Sequence, residues 1–262
     1  MKLLFWNMGG NDNVSLALSH MQDNDVGVAA FAEHFGAKFS DGILRDSGYR
    51  VLGYGGCDKI VVLASESIEV LDCFEESRFT VLAMESSEAR FVVAAAHLID
   101  RMSAPDSALR LRTIRKMMGV VHGSESALSI NNTIAMGDFN ANPYDKELLL
   151  PEAFNAMLFK GLLRSKSSRF WDGVDYPYFY NPTIHWLSED DGNYGSFYYS
   201  SGDGTNPIWN CYDQMLVSPA LMDRINGYSY LKRIGDEDLI AKVRPRREIS
   251  DHLPLFVDID MR

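Results

Sequence analysis

Short, densely apolar runs recur along the chain, separated by longer mixed stretches, and the runs have the length of buried strands. They are Leu3–Trp6, Val26–Ala32, Ile60–Leu63, Val81–Met84, Phe91–Ala96, Thr133–Met136, Gln214–Val217 and Leu255–Ile259. Between them the apolar positions change to helical spacing. The clearest case is Ser107–Val121, where Leu111, Ile114, Met118 and Val121 share one face. Ser103 is placed to cap this helix, with Pro105 in its first turn. Arg110, Arg112, Arg115 and Lys116 fall on its other faces, and a charged helix face is ordinarily a solvated one. Residues 170–199 show neither period and read as long loops. Strands and helices mix over the whole length with no Pro/Gly/Ser-rich linker. That predicts one layered α/β domain spanning residues 1–262.

Composition narrows the picture. Apolar residues make up 46% of the 262, enough for a sizeable core. No apolar run reaches 18 residues, so no membrane span is expected. The opening "MKLLFWNMGG" has too short an apolar stretch for a signal peptide and reads as a first strand. The three cysteines, Cys57, Cys73 and Cys211, are far apart and form no CxxC pair, which argues against zinc-ribbon or thioredoxin chemistry. A reducing cytoplasm is the expected setting. The net charge of −11 opposes bulk attraction to a polyanion. A phosphate substrate remains open, because a bound divalent cation reverses the local sign.

The ends of the apolar runs carry the chemistry. Asn7 follows the first run, Glu33 the second, and His97 the run "VVAAA". "MGDFNANP" brings Asp138 and Asn140, two residues apart, where another run stops. Asp213 opens a later run, and Asp251 and His252 precede the last. Singly, each has an ordinary reading: a turn amide, a hydrogen-bonded core histidine, a capping acid. Loops after strands are also where α/β scaffolds put their sites. His34, next to Glu33, is a further candidate, although it would point the other way on a continuing strand.

Taken in order, "FWNMGG", "FAEHF", "AAAHL", "MGDFNANP", "YDQMLVS" and "SDHLPLF" resemble the endonuclease/exonuclease/phosphatase superfamily, and the longer pattern "YNPTIHW…GSFYY…WNCYDQMLVSPAL" looks like a bacterial branch of it. These stretches span residues 5–256. The resemblance implies an α/β four-layer sandwich, two packed mixed β-sheets flanked by helices, of the DNase I-like kind. It also implies a Mg²⁺- or Mn²⁺-dependent phosphoric ester hydrolase whose partner is a phosphoester, nucleic acid or nucleotide. Asn7, Glu33 and Asp251 would then serve the metal, with Asn7 offering its amide oxygen. Asp138 would orient the attacking water and Asn140 would grip a phosphoryl oxygen, both on one side because alternate strand residues share a face. Phe139 would point into the packing. His252 would meet the phosphate or take the water's proton, with Asp213 fixing its tautomer. His97 would face it as acid or phosphate donor, with Asp58 as a candidate carboxylate partner.

The pattern departs from the superfamily in two places. Ala32 stands where many members have Gln, and Tyr212-Asp213-Gln214 lacks the Cys-Asp-Arg motif of inositol polyphosphate phosphatases. The leading expectation is a phosphodiesterase, a nuclease acting on small or single-stranded nucleic acid. The alternatives are a phosphomonoesterase or sphingomyelinase-like lipid phosphodiesterase, and a catalytically silent member that binds a partner. Residues 170–199 hold eleven of the chain's thirty aromatics, five acids and no Lys or Arg. That composition suits base stacking beside the site, or else a homodimer contact. Arg246 and Arg247, just ahead of Asp251, are expected either near the substrate entrance or on a solvated loop with Glu248 as partner.

Overall fold

The computed structural model describes residues 1–34, 39–188, 192, 194–200 and 207–262. Two mixed sheets lie face to face. The six-stranded sheet runs Ile225–Tyr230, Leu255–Ile259, Lys2–Asn7, Val26–Ala32, Ile60–Ser65, Tyr49–Leu52. The seven-stranded sheet runs Glu69–Glu76, Phe79–Glu85, Arg90–His97, Thr133–Asp138, Asp213–Val217, Phe179–Tyr180, Ala156–Met157.

Alternation decides what each strand faces. In Arg90–His97, Phe91, Val93 and Ala95 join the core between the sheets, together with Leu3, Phe5 and Met136. Val92, Ala94 and Ala96 face outward, into a second core built with the helix Ala108–Leu128. That helix buries Leu111, Ile114, Met118 and Val121, the face its spacing predicts. Helix Val14–Asp23 packs beside Val26–Ala32 on the other sheet and completes four layers.

The helix begins later than its sequence suggests. Ser107 is the residue before its first turn, and Asp106 Oδ1 accepts from Ala108 N at 2.8 Å. Ser103 instead uses its own amide N–H, which donates to Asp100 Oδ1 at 2.7 Å. Arg110 is also misread by periodicity: it is 2% exposed and bonded to buried Glu147. Arg115 and Lys116 do lie outside, paired with Glu152 and Glu76.

The described part of residues 170–199 holds more regular structure than a loop reading allows. Ser168–Trp171 and Val174–Pro177 form a hairpin, Phe179–Tyr180 joins the large sheet, and Thr183–Trp186 is a helical turn. Tyr178, Phe179 and Tyr180 are buried. Of this region's acids, Glu189, Asp190 and Asp191 lie outside the described residues.

One glycine is fixed by close approach. A Cβ on Gly137 would sit 2.0 Å from the carbonyl oxygen of Ala96 on the neighbouring parallel strand. Gly137→Ala must therefore push apart the two strands that carry His97 and Asp138. It is expected to cost at least the upper end of the ~1–3 kcal/mol of an overpacked core, read as a lower urea midpoint. An unchanged midpoint would contradict the close approach.

Candidate active site

The strand register gathers the candidate residues. His97 pairs with Asp138 across a parallel ladder, and Asp138 pairs with Asp213 across an antiparallel one. Three chemistry-bearing side chains thus stand abreast at one edge of the large sheet. In the other sheet, Lys2–Asn7 and Val26–Ala32 run parallel and finish level, Asn7 opposite Ala32, with Glu33 next. The two edges meet there. The buried Asn7 side chain donates from Nδ2 to Asp138 Oδ2 at 3.0 Å and to Glu33 Oε1 at 3.2 Å. Ser250 Oγ donates to the Asn7 carbonyl at 2.7 Å and brings up Asp251 and His252.

Asn7 departs from its expected role. Its Oδ1 accepts from Gly9 N–H at 3.0 Å, and a backbone N–H can only donate, so the amide orientation is fixed. The side chain turns its NH₂, not its oxygen, toward the acids, and it tethers both Glu33 and Asp138.

Glu33 and Asn140 both have left-handed backbone, φ 46° and 47°. Such conformations are costly outside glycine and cluster at functional sites. For Asn140 this replaces the alternation argument. The strand ends at Asp138, and a turn brings Asn140 back so that its N–H donates to Asp138 Oδ1 at 2.9 Å. Asn140 Nδ2 donates to Leu98 O at 3.1 Å, which uses one of its two N–H groups. Phe139 is fully buried against Phe154.

The histidines approach Asp138 from either side. His97 Nε2 is 3.8 Å from Asp138 Oδ2 and 3.6 Å from Glu33 Oε1. His252 Nε2 is 3.9 Å from the same Asp138 oxygen. His252 Nδ1 meets Asp213 Oδ2 at 2.6 Å, with both residues buried. Burial alone would lower the His252 pKa. The Asp213 charge and hydrogen bond, then Asp138 and Asp251, outweigh it and push the imidazole up to about 10. Burial raises the Asp213 carboxyl, against the pull of His252. The Asp213 carboxylate thus favours the charged imidazole, and because a carboxylate only accepts, Nδ1 carries the proton of this bond. His97 Nδ1 is buried and has no hydrogen-bond partner among the described residues. Asp58, exposed on its loop, does not supply one.

These groups open onto a cavity of about 330 Å³ lined by Glu33, Lys59, Arg78, His97, Asp100, Asp138, Asn140, Phe197, Asp251 and His252. Seven of the eight sequence candidates meet here or stand directly behind it: Glu33, His97, Asp138, Asn140, Asp213, Asp251 and His252. The eighth, Asn7, ties two of them together. His34 is not in the lining. Lys59, Arg78 and Phe197 are additions that sequence order did not single out. Arg246 is absent from the lining and is paired with Glu237 and Glu248, so it is a surface ion-pair residue. Ligand atoms of Asp138, Asp213 and His252 lie within 4.8 Å of one another, a set that could hold a metal ion.

The aromatic region divides. Phe197 lies against the His252 ring at 4.6 Å and is bridged to His252 through the backbone. Tyr212 and Tyr199 lie nearly parallel to Phe197, at 20° and 13°. The exposed Phe170 and Trp171 belong instead to the hairpin. Ser168, Asp175 and Pro177 of that hairpin share a cleft with Asn131 and Ser218, which flank the Thr133 end of the Thr133–Asp138 strand. The hairpin aromatics and Asp172 and Asp175 are thus at the opposite end of the sheet from Asp138.

No protein-family model and no curated protein matches the sequence. Solved structures do match the fold. The human Nocturnin catalytic domain aligns with TM-score 0.61 at 14% identity, over 99% of this chain and 94% of that one. An AP endonuclease from Archaeoglobus fulgidus aligns with TM-score 0.58 at 13% identity, over 99% of both chains. An endonuclease/exonuclease/phosphatase family protein from Bacteroides thetaiotaomicron aligns with TM-score 0.57 at 14% identity, over 98% and 96%. The chain shares the DNase I-like fold of these proteins. The expected four-layer sandwich is the observed one. No helix among the described residues is long and apolar enough to cross a membrane.

Proposed function

We propose that the protein is a divalent-metal-dependent phosphoester hydrolase, and within that class a phosphodiesterase that cuts small or single-stranded nucleic acid by attack of water on phosphorus. One observation carries the reading. Two histidines converge on one buried acid, Asp138, and one of them, His252, is backed by Asp213. His252 Nε2 faces the cavity to meet the attacking water or a phosphoryl oxygen, while Asp213 keeps the proton on Nδ1. Asp138, tethered by Asn7 and by the Asn140 amide, keeps its orientation for the attacking water. His97 Nε2 stands opposite to serve the leaving oxygen. The second N–H of Asn140 Nδ2 is left for a phosphoryl oxygen.

The donors fit a hard cation. Glu33 and Asp251 both line the cavity and offer carboxylate oxygens, the choice of Mg²⁺ and Mn²⁺. The Asp138–Asp213–His252 set fits less well, because Asp213 is fully buried and already holds His252. When bound, the metal supplies positive charge to the phosphoryl oxygens. Asn7 then acts behind the metal by holding Glu33. Asn7→Ala is expected to weaken activation by Mg²⁺ or Mn²⁺ about 10–100-fold, and chelation to abolish turnover. Metal titrations of hydrolysis check both, and full activity after exhaustive chelation would sink the metal assignment.

The cavity suits a nucleotide-sized group. Phe197, backed by Tyr199 and Tyr212, gives it one aromatic wall on which an exposed base can stack. The −11 charge disfavours a long duplex. Free thiols at all three cysteines agree with a reducing, cytoplasmic setting. The deciding assay compares bis-p-nitrophenyl phosphate with p-nitrophenyl phosphate, then duplex, single strand and dinucleotide. Preference for the monoester would favour a phosphomonoesterase, and faster cleavage of the duplex would refute the substrate class. Absence of hydrolysis on any phosphoester would leave the catalytically silent reading.

A further inference from the structure

Arg78 sits in the two-residue turn between the strands Glu69–Glu76 and Phe79–Glu85, at the same sheet edge as His97. Two bonds hold it there: His97 N–H donates to Arg78 O at 3.0 Å, and Arg78 Nη1 donates to His97 O at 3.3 Å. It is half-buried and lines the cavity beside Lys59. Four acids share that lining, yet no carboxylate lies within ion-pair distance of Arg78 among the described residues. Other arginines of the fold do hold acids: Arg101 holds Asp145, Arg110 holds Glu147 and Arg115 holds Glu152. The chain has 36 acids against 25 Lys and Arg, yet among the described residues this cavity-lining guanidinium is left without an acid to neutralise it.

We propose that Arg78 is a substrate-binding residue that grips a phosphoryl group of the substrate. The inference rests on the phosphoester reading above and names the residue that anchors the substrate's charge. A guanidinium has five N–H donors, and the His97 carbonyl uses one. The rest form a planar fork suited to two oxygens of one tetrahedral phosphate. The backbone bonds to His97 set that fork beside the histidine that faces Asp138. Binding is therefore expected to be felt in KM more than in kcat.

The test uses the full chain with Arg78→Gln and Arg78→Lys, a dinucleotide substrate and inorganic phosphate. Arg78→Gln is expected to raise KM about tenfold, the scale of a hydrogen bond to a charged group, with kcat within about threefold. Calorimetric binding of inorganic phosphate, with Mg²⁺ present and after chelation, is expected to weaken by a similar factor. Arg78→Lys keeps the charge but not the fork and is expected to fall between; it also serves if the Gln variant is unstable. A fall in kcat with KM unchanged would mean that Arg78 only props the His97 backbone, and would overturn the proposal. So would equal phosphate affinity in wild type and variant. If no phosphoester is hydrolysed but phosphate binding still depends on Arg78, the hydrolase reading fails and this inference stands.

Discussion

Replacing His252 by Ala is expected to lower kcat/KM for a phosphodiester by about 10²–10⁴-fold, the range for loss of a positioned acid–base group, while the protein stays folded. The expectation follows from how firmly the ring is held. Trp6 Nε1 from the first strand donates to the His252 carbonyl at 3.2 Å, Ser250 Oγ accepts its N–H at 3.0 Å, and Phe197 covers one side of the imidazole. Both sheets therefore fix where Nε2 points. Asp213→Asn is the more specific probe, since it keeps the buried shape and removes the charge that holds the proton on Nδ1. An amide can also present NH₂ to Nδ1 and favour the wrong tautomer. A loss of similar order is expected, and Asp138→Asn should match it because the acid stands between both histidines. Far-UV dichroism and a urea midpoint serve as controls. If His252→Ala and Asp138→Asn each keep more than a third of wild-type activity, the two histidines do not work through Asp138 and the site assignment falls.

The strands that build this site were readable because they are buried on both faces. A run such as Phe91–Ala96 has no polar interruption until His97, so its end and its chemistry coincide. Strands that are half exposed escaped notice. Glu69–Glu76 reads "EVLDCFEE" and sits at the edge of the large sheet, where polar residues are tolerated. Helix Val14–Asp23 carried a legible signal in Val14, Ala17, Leu18 and Met21, all buried. The order of acids and amides pointed to one edge of the sandwich but not to the orientation of Asn7. That depends on a Gly9 N–H two residues away, in a turn no periodicity describes. Lys59 and Arg78 were invisible for a related reason: they come from loops between strands, and only the closed sheet brings them to the cavity. The aromatic region misled because composition has no address. Its hairpin aromatics went to the far end of the sheet, and Phe197 alone reached the cavity lining.

Arg110→Ala is expected to destabilise the fold by about 3–5 kcal/mol, the cost of leaving a buried charge without its partner. Helical spacing put Arg110 among the solvated cations, but its Nε donates to Glu147 Oε1 at 2.8 Å with both side chains buried. Nη1 also donates to the carbonyls of Ala104 at 2.8 Å and Ile99 at 3.4 Å. Arg110 thus ties the helix to the loop after His97. That loop supplies the Leu98 carbonyl that holds Asn140, and the cavity-lining Asp100. Removing the guanidinium strands Glu147 and frees two carbonyls together. For a chain of this size the loss corresponds to a Tm lower by roughly 10 °C. Arg115→Ala is the contrast, since its pair with Glu152 is exposed and worth about 0–1 kcal/mol. The double variant Arg110→Met/Glu147→Leu is expected to recover part of the loss, because two apolar side chains leave no orphaned charge. Denaturant midpoints for the four proteins check the order: wild type above Arg115→Ala by little, then the double variant, then Arg110→Ala. If Arg110→Ala unfolds with Arg115→Ala, the guanidinium is solvated after all and the tie to the site loop is absent.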